Sequence, residues 1–364
     1  MICRYASNCS GCSEWSEDYA TQAQLKTNRL QHIGSDLGFS GEVKCHTLGP
    51  VGIRDRGDLQ WRKGEGWGFL DKSFKSLTVI EQCPLFSEPL QQLFTWWSSF
   101  QLDAPKTSVR LRISPEGRWG VWLDMANVEV KNLLSQDVLL TQWVEKAHIE
   151  IGQRFKVLKK VNGEWKLRDP ELRPWFSTTD LYGRSLSVYG SIGSFSQAGF
   201  AINKKLVERV LQMVCAQPQQ QVIELGAGAG NFTLGMAAEG KTVVALEQSS
   251  ESLQGLERAL QDYPHLRSKI RYEVGNFQKL DWGDWSIEES ILFLDPPRSG
   301  IGENLIRQIP RGNFPVIAYV ACGIESWYSD GKMLRDLGYQ LVQLEWVDQF
   351  PNTPHLEVIS LWQK

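Results

Sequence analysis

The sequence predicts an α/β protein, with a parallel sheet covered by helices in residues 181–364 after a smaller, mixed, strand-rich domain in residues 1–180. Beyond about residue 180, short apolar runs alternate with helical stretches, as is typical of such sheets. The earlier part has short polar–apolar alternations and turns, and it holds ten of the 15 tryptophans. The length of 364 residues also fits two domains. This change in the pattern of apolar and polar residues places the domain boundary near residues 175–185.

The strands of the predicted sheet are short apolar runs that end in glycine, proline or polar residues. The buried-strand candidates are 221–228, 242–248, 290–298 and 314–323. In the smaller domain, residues 107–124 predict a β-hairpin, because alternating segments flank the turn residues Pro115-Glu116-Gly117.

The composition is that of an ordinary globular protein, with 42% hydrophobic and 22% charged residues. No apolar run approaches the roughly 20 residues of a membrane helix, and the N-terminus lacks the pattern of a signal peptide. We therefore expect a cytoplasmic protein that does not enter a membrane. The net charge of -3 and the pI of about 6.0 give no global sign of nucleic-acid binding, although a local basic face would suffice for it.

A glycine turn follows the first predicted strand of the second domain. Gly226, Gly228 and Gly230 allow a sharp turn and a close approach of the backbone to a ligand. Glu247 ends the next strand, at a spacing suited to accepting hydrogen bonds from both hydroxyls of a ribose. The pattern predicts an adenosine pocket. Its G-x-G-x-G spacing favours a methyl donor over a dinucleotide, and a tight turn without a ligand is the alternative.

Two further strand ends carry reactive or rigid residues. Asp295-Pro296-Pro297-Arg298 follows an apolar strand, and its prolines indicate a stiff extended loop at the same sheet edge. A loop that merely stops a helix is the alternative. Cys322 ends the last strand candidate, beside Gly323, where it would face the same crevice. It is either a nucleophile or a buried, inert thiol.

The segment Phe350-Pro-Asn-Thr-Pro-His-Leu-Glu357 predicts a rigid turn between two prolines. His355 and Glu357 are two residues apart, so an extended backbone would point both side chains to one face. A carboxylate held near the site could act as a general base. The alternative is a surface turn with solvated side chains.

The seven cysteines are an odd number, which argues against a disulfide framework. Three of them lie close together near the N-terminus, and a fourth, Cys83, precedes a proline. The four candidate metal ligands are Cys3, Cys9, Cys12 and Cys83. Their spacing suits a [4Fe–4S] cluster, and zinc held by four cysteines is the alternative. Cys45 and Cys215 belong to no motif and are interpreted as ordinary free thiols.

These motifs together resemble those of the RNA 5-methyluridine methyltransferases. The likeness extends over nearly the whole chain, from the N-terminal cysteines through Phe195-Ser-Gln197, the glycine turn and Asp295-Pro-Pro-Arg298 to Cys322 and Glu357. The chain looks most like the bacterial branch that acts on 23S ribosomal RNA and carries an iron–sulfur cluster. The resemblance implies a Rossmann-like class I methyltransferase domain, preceded by a domain that carries the cluster and recognises RNA.

The resemblance also assigns roles to individual residues. It implies Cys322 as the nucleophile, Glu357 as the base and the four candidate cysteines as ligands of a structural [4Fe–4S] cluster. The positions that match contacts to S-adenosylmethionine are Gln197, Gly226, Asn231, Glu247, Asn276 and Asp295. Two positions depart from the family pattern. Cys322 is followed by Gly323-Ile324 where the family usually has Asn-Pro, and Gly199 stands where it usually has Asn.

The implied reaction is methylation of carbon 5 of a uridine in RNA, with 23S rRNA as the expected partner of a monomeric enzyme. A thiolate adds to carbon 6 of uracil, carbon 5 takes the methyl group, and a base removes the proton from carbon 5. The target base must leave its stack, and aromatic residues or the basic stretch 153–173 are candidates for holding RNA. The alternatives are an enzyme acting on tRNA or on another base, or a non-catalytic RNA-binding or assembly protein with this fold.

Overall fold

The computed structural model describes residues 3–152, 156–277 and 289–364, which form two compact units. The first unit consists of Met1–Ser16, Gly49–Phe176 and Tyr189–Phe200, and the second of Glu17–Leu48, Ser177–Val188 and Ala201–Lys364. Each unit is therefore built from separate stretches of chain. The stretch Glu17–Leu48 precedes residue 180 in the sequence, yet it belongs to the second unit.

Strands follow one another directly in much of the first half of the chain, and helices separate most strands after residue 200. Up to residue 190 the helices and strands are α1 (Tyr19–Asp36), β1 (Lys44–His46), β2 (Arg56–Arg62), β3 (Gly66–Leu70), β4 (Leu77–Val79), α2 (Glu88–Trp97), β5 (Lys106–Ile113), β6 (Trp119–Asp124), α3 (Asn127–Leu134), α4 (Asp137–Lys146), β7 (Ala147–Ile151), β8 (Lys156–Val161), β9 (Glu164–Arg168), β10 (Arg173–Thr179) and β11 (Ser185–Gly190). The later ones are α5 (Phe200–Cys215), β12 (Gln221–Leu225), α6 (Thr233–Ala238), β13 (Thr242–Glu247), α7 (Ser250–Asp262), a 3₁₀ helix (Pro264–Lys269), β14 (Ile270–Val274), β15 (Ile291–Leu294), α8 (Gly302–Ile306), α9 (Ile309–Gly312), β16 (Val316–Ala321), α10 (Ile324–Asp336), β17 (Gln340–Val347) and β18 (Glu357–Gln363).

The second unit is built on a sheet whose described strands have the order β1-β17-β18-β16-β15-β12-β13-β14. The four strands predicted from the sequence are its central neighbours β13, β12, β15 and β16, and they pair in parallel. β18 is antiparallel to both of its neighbours, β16 and β17. All residues of β15 and β16 are buried, as expected for strands covered by helices on both faces. The predicted α/β fold is confirmed.

The stretch Glu17–Leu48 extends this sheet, which the sequence pattern does not predict. Its strand β1 pairs in parallel with β17, so that Cys45 lies beside Trp346. Its helix α1 begins after Asp18, whose side chain accepts a hydrogen bond from the Thr21 N–H at 3.0 Å and caps the helix. The sheet edge next to β17 is thus covered by residues from the beginning of the chain.

The first unit is a mostly antiparallel sheet with the described order β4-β3-β2-β5-β6-β7-β8-β9. The predicted hairpin at residues 107–124 is confirmed, because β5 and β6 pair from Ser108–Asp124 to Ile113–Trp119. One face carries a core of large aromatic rings, in which Trp97 packs between Trp67 and Trp143 at centroid distances of 5.7 and 4.8 Å. Burial of such rings is the main source of stability for a sheet of this kind.

No helix in the described part of the chain combines the length and the apolarity needed to cross a membrane.

Candidate active site

The glycine turn after β12 has the backbone shape that the sequence predicts. Gly226, Gly228 and Gly230 all have positive φ, at 89°, 56° and 95°, a region that residues with a Cβ rarely adopt. A Cβ on Gly226 would lie 2.5 Å from the carbonyl oxygen of Asp295, whereas a Cβ on Gly228 would meet nothing within 4 Å. The turn therefore lies tightly against Asp295 on one side and leaves open space on the other.

Glu247, at the end of β13, is held against this turn. Its carboxylate accepts a hydrogen bond from the Gly228 N–H at 2.9 Å and another from the Ser249 N–H at 2.7 Å. Each oxygen accepts one backbone bond and keeps further acceptor capacity. The adjacent strand β14 ends beside it, because the Gly275 N–H donates to the Glu247 carbonyl oxygen at 3.0 Å. Asn276 is the next residue, so this candidate lies at the same sheet edge as Glu247.

Two acids near the glycine turn, Glu224 and Asp295, have raised pKa values. Glu224 is 0% exposed, and burial raises its pKa to about 8, with the charges of Asp295 and Glu247 adding to the effect. Its Oε2 accepts a hydrogen bond from Thr233 Oγ1 at 2.6 Å, while its Oε1 is buried with no partner. Burial likewise raises the pKa of Asp295 to about 7, helped by the charge of Glu247. An unsatisfied acceptor of this kind suits a site that takes a polar ligand.

Two further residues predicted to bind the cofactor are Asn231 and Gln197. The side-chain amide of Asn231 exchanges two hydrogen bonds with Asn203 of α5, at 2.9 and 3.0 Å. Asn203 is fully buried and also donates to the Ser177 carbonyl oxygen at 3.1 Å, so this pair fixes the loop that carries Asn231. Gln197 lies in the first unit, whereas the other cofactor candidates lie in the second.

The two candidate catalytic residues lie on neighbouring strands. β16 and β18 pair up to Ala321–Val358; Cys322 directly follows β16, and Glu357 is the first residue of β18. Burial raises the pKa of the half-buried Cys322 thiol to about 11, and the charges of Glu357 and Asp295 raise it further, while that of Arg298 lowers it. The thiol and the carboxyl are therefore in electrostatic reach of each other, next to the glycine turn.

Glu357 is a buried acid and not part of a solvated turn. Its side chain is 3% exposed, and burial, followed by the charge of Asp295, raises its pKa to about 8. His355, in contrast, is exposed. The two side chains do not share one environment as expected, because β18 begins only at Glu357 and the exposed His355 precedes it.

A further residue of the site is Gln349, which no sequence motif indicates; it is 0% exposed and follows β17. Its Nε2 donates a hydrogen bond to Glu357 Oε2 at 3.1 Å, and its Oε1 is buried without a partner. This hydrogen bond favours the ionised carboxylate and so lowers the pKa of Glu357 against the effect of burial. Gln349 directly precedes the Phe350–Glu357 motif, which could have drawn attention to it. The spacing of the residues does not indicate that Gln349 bonds Glu357.

The turn that leads to Glu357 is fixed by α1. Lys26 Nζ donates to Asp348 Oδ1 at 2.9 Å and to the Phe350 carbonyl oxygen at 3.0 Å. Both members of this ion pair are at most 4% exposed. Gln22, also on α1, bonds Asn352 in the same turn. A buried and multiply bonded ion pair holds its groups in one geometry, so α1 orients the approach to Glu357.

The glycine after Cys322, which departs from the family pattern, has a steric reason in this chain. A Cβ on Gly323 would lie 2.5 Å from the carbonyl oxygen of Arg298 and 2.8 Å from Ser326 Oγ. Ser326 Oγ also donates to the Arg298 carbonyl oxygen at 2.8 Å. The proline-rich loop is thus tied to the start of α10, and only glycine leaves room for this contact.

Gly199 has a similar reason within the first unit. A Cβ there would lie 1.8 Å from the carbonyl oxygen of Ile53. Asp55 bonds the residues on either side, since its N–H donates to the Ala198 carbonyl oxygen at 3.0 Å and its carboxylate accepts from the Phe200 N–H at 2.8 Å. The asparagine that usually stands at this position in the family does not fit this backbone.

The candidate metal ligands Cys3, Cys9, Cys12 and Cys83 are free thiols in the first unit. Burial raises the pKa of Cys12 to about 12, and Cys83, Cys9 and Cys3 each raise it further, so the four sulfurs lie in electrostatic reach of one another. Even so, the residues that the structure describes contain no group of three or more His, Cys, Asp or Glu arranged to hold a metal ion. The predicted metal cluster is not confirmed by the structure.

The acids of the site predict an unusual dependence of stability on pH. Because the pKa values of Glu224, Asp295 and Glu357 are raised to about 8, 7 and 8, the folded state binds more protons than the unfolded state from about pH 4 to 8. Stability should therefore fall as the pH rises through this window. Calorimetry should give a lower Tm at pH 8 than at pH 5.5, with a shallower slope for Glu357→Gln. A Tm that rises over this window would contradict the assignment.

The chain is similar to known RNA methyltransferases. A family model described as tRNA (uracil-5-)-methyltransferase matches residues 268–364, and one described as ribosomal RNA adenine dimethylase matches residues 193–289. An uncharacterized RNA methyltransferase of Bdellovibrio bacteriovorus is 34% identical over 371 residues, covering 100% of this chain and 95% of that protein. The 23S rRNA (uracil(1939)-C(5))-methyltransferase RlmD of Haemophilus parainfluenzae is 26% identical over 375 residues, covering 100% of this chain and 82% of that protein.

Among solved structures, the Pyrococcus abyssi tRNA (uracil-54, C5)-methyltransferase in complex with S-adenosyl-L-homocysteine superposes with a TM-score of 0.73. It is 21% identical, and the match covers 97% of this chain and 86% of that chain. The parallel sheet with its glycine turn and acidic strand ends is thus that of a class I methyltransferase. The chain belongs to the RNA 5-methyluridine methyltransferases, a family of S-adenosylmethionine-dependent RNA (uracil-5-)-methyltransferases.

Proposed function

We propose that this protein methylates carbon 5 of a specific uridine in 23S rRNA through a covalent bond between Cys322 and carbon 6 of the base. The observation that carries the proposal is the apposition of Cys322 and Glu357 at adjoining strand ends beside the glycine turn. The choice of RNA is supported by the relative from Haemophilus parainfluenzae, which acts on 23S rRNA. The enzyme is expected to act as a monomer in the cytoplasm.

The donor set around the turn fits an adenosyl group. Glu247 offers carboxylate oxygens to ribose hydroxyls, and Gly228 leaves the open space that the ligand needs. Asp295 and Asn276 add polar groups at the same edge, and Gln197 and Asn231 complete the proposed set. S-adenosylmethionine, when bound, supplies an electrophilic methyl group.

The remaining chemistry belongs to the side chains of this protein. The Cys322 thiol loses its proton to solvent. Its sulfur then forms a bond to carbon 6 of uracil, and the electrons of the C5–C6 double bond move onto the C4 carbonyl oxygen, which makes carbon 5 nucleophilic. Once carbon 5 is methylated, the Glu357 carboxylate takes the proton from carbon 5. The double bond re-forms as the bond from carbon 6 to sulfur breaks, and Cys322 leaves as the thiolate.

Glu357 must be ionised to accept this proton, and its raised pKa of about 8 leaves a minority of the enzyme ready near neutral pH. Gln349 favours the ionised form through its hydrogen bond. The exposed Arg298 guanidinium lowers the pKa of both Cys322 and Glu357. We therefore expect ionisation of Glu357 to contribute a limb of the pH–rate profile that rises up to about pH 8.

We further propose that Cys3, Cys9, Cys12 and Cys83 bind a [4Fe–4S] cluster with a structural role. The support is that four free thiols lie in mutual electrostatic reach, since thiolates are the ligands of such clusters. Protein purified without oxygen should be brown, with a broad absorbance near about 400 nm and four irons per chain. A colourless protein with one zinc per chain would instead support the zinc alternative.

The test of the proposed function compares RNA classes. Purified protein is incubated with labelled methyl donor and unmodified 23S rRNA or tRNA, and the product is mapped by mass spectrometry after nuclease digestion. We expect one 5-methyluridine in 23S rRNA. The description of the matching family model makes tRNA the second candidate, and label found in tRNA alone would decide for it. A protein that binds RNA and methylates neither class would fit a non-catalytic assembly role.

A further inference from the structure

The first unit carries a groove of about 620 Å³ away from its cysteines. It is lined by residues around the start of β6, the α4–β7 junction and the start of β10, including Arg118, Trp119, Lys146, His148, Arg173 and Trp175. We infer that this groove binds an unpaired segment of the RNA substrate. The inference deepens the proposed function and rests on it, since it names a surface that would hold the RNA.

Three side-chain nitrogens at the groove are buried and have no hydrogen-bond partner. They are Trp175 Nε1 and Arg173 Nε, which are donors, and His148 Nε2, which lies 3.8 Å from Glu150 Oε1 and is a donor or an acceptor depending on its tautomer. The Trp175 side chain is only 2% exposed, so neither solvent nor a described protein group satisfies its N–H. Native proteins rarely leave buried donors unpaired. Such donors are satisfied when a ligand brings oxygen acceptors, as RNA does with its phosphates and base carbonyls.

The charge of the groove matches an anionic ligand. Its lining contains three cations, Arg118, Lys146 and Arg173, against one acid, Glu145. Arg118 pairs with Glu116 and Arg173 with Glu171, but these acids are 58% and 59% exposed. Exposed ion pairs are weak, so a phosphate can replace their acidic partners. His148 stays neutral at pH 7, because burial, followed by the charges of Arg173 and Lys159, lowers its pKa to about 4.

The groove also offers aromatic surface. Trp119 is half-buried, and the rings of His148 and Trp175 lie 5.7 Å apart. Unpaired bases stack on aromatic side chains while cations hold the backbone, which is the usual way proteins bind single-stranded RNA. An acidic peptide would use the cations but not the rings. The combination of rings, donors and cations therefore favours RNA.

The basic stretch 153–173 is a weaker candidate for this role. Residues 153–155 lie outside the described residues, and none of the four lysines that follow lines the groove. Lys156, Lys159, Lys160 and Lys166 form ion pairs with Asp169, Glu171, Asp137 and Glu164. Its last residue, Arg173, lines the groove.

The test is RNA affinity without turnover. The protein is titrated, in the absence of methyl donor, with unmodified 23S rRNA and with a single-stranded oligouridylate. The groove variant Arg118→Gln/Lys146→Gln is compared with Lys131→Gln/Arg168→Gln, which makes the same charge change at exposed residues of the same unit outside the groove. We expect the groove variant to weaken binding of both RNAs at least tenfold, and to reduce the salt slope by about 1.4 for two lost contacts to single strands.

Unchanged Tm and unchanged affinity for S-adenosylhomocysteine in both variants would show that the fold is intact. Equal RNA affinity of the two variants, or displacement of the RNA by polyglutamate at matched charge concentration, would overturn the inference. The result is separate from the proposed function, because binding is read without methylation. If the groove variant methylates RNA normally, the proposed function stands, and the groove is not the surface that binds the RNA.

Discussion

Replacement of Cys322 by alanine is expected to reduce methylation of RNA by at least about a thousandfold. Without the sulfur, no bond to carbon 6 forms, and carbon 5 of uracil remains too weak a nucleophile to take the methyl group. The thiol is half-buried beside Glu357, so its removal leaves the neighbouring strands paired. Methylation of the RNA with labelled donor measures the loss.

The covalent step has a direct readout. RNA that contains 5-fluorouridine should form a complex with the wild-type protein that survives denaturing electrophoresis, because the fluorine on carbon 5 cannot leave as a proton does. Cys322→Ala should form none. Cys215→Ala is the matched control, since Cys215 is another half-buried free thiol of the second unit whose pKa burial raises to about 11. Equal complex formation by Cys322→Ala would refute the role of this thiol.

Replacement of Glu357 by glutamine is expected to allow the bond between Cys322 and carbon 6 to form but to prevent release of the methylated base. The amide keeps the size of the side chain but cannot accept the proton from carbon 5, so the methylated base should remain bound to Cys322. Overall turnover should fall by about 10²–10⁴-fold, while a covalent complex accumulates with ordinary uridine-containing RNA. Denaturing electrophoresis and intact-mass measurement detect that complex. Glu325→Gln, at a side chain that is 78% exposed, is the control.

Replacement of Gln349 tests the role of the Glu357 carboxyl in a second way. Gln349→Met keeps a side chain of similar length and removes the hydrogen bond to Glu357 Oε2. Because that bond favours the ionised carboxylate, its loss should raise the pKa of Glu357 above about 8 and move the rising limb of the pH–rate profile to higher pH. A lower rate with an unmoved profile would mean that Gln349 only packs against its neighbours.

The fold of the second unit and the identity of its reactive groups follow from local sequence. Apolar runs of strand length, separated by helical stretches, predict the parallel strands β12, β13, β15 and β16. Because parallel strands end at one edge, residues that directly follow them meet there. This rule alone brings Gly226, Glu247, Asp295 and Cys322 together. The glycines after β12 are required for a separate reason, because the turn there has positive φ.

Other features depend on residues that are far apart in the chain, and no periodicity records them. The stretch Glu17–Leu48 joins the second unit through β1 and through the buried pair of Lys26 and Asp348, which are 322 positions apart. The Asn203–Asn231 amide pair and the contact between Gly323 and the Arg298 carbonyl are of the same kind.

The class of fold and the set of side chains at the sheet edge can therefore be read from residue order, because strand ends and glycine turns are local properties. The state of those side chains depends on how the chain packs. The raised pKa of Glu357, its bond to Gln349 and the unpartnered donors of the groove arise from burial against distant residues. Burial is a property of the packed chain, and short-range patterns of residue type do not specify which polar groups it leaves together.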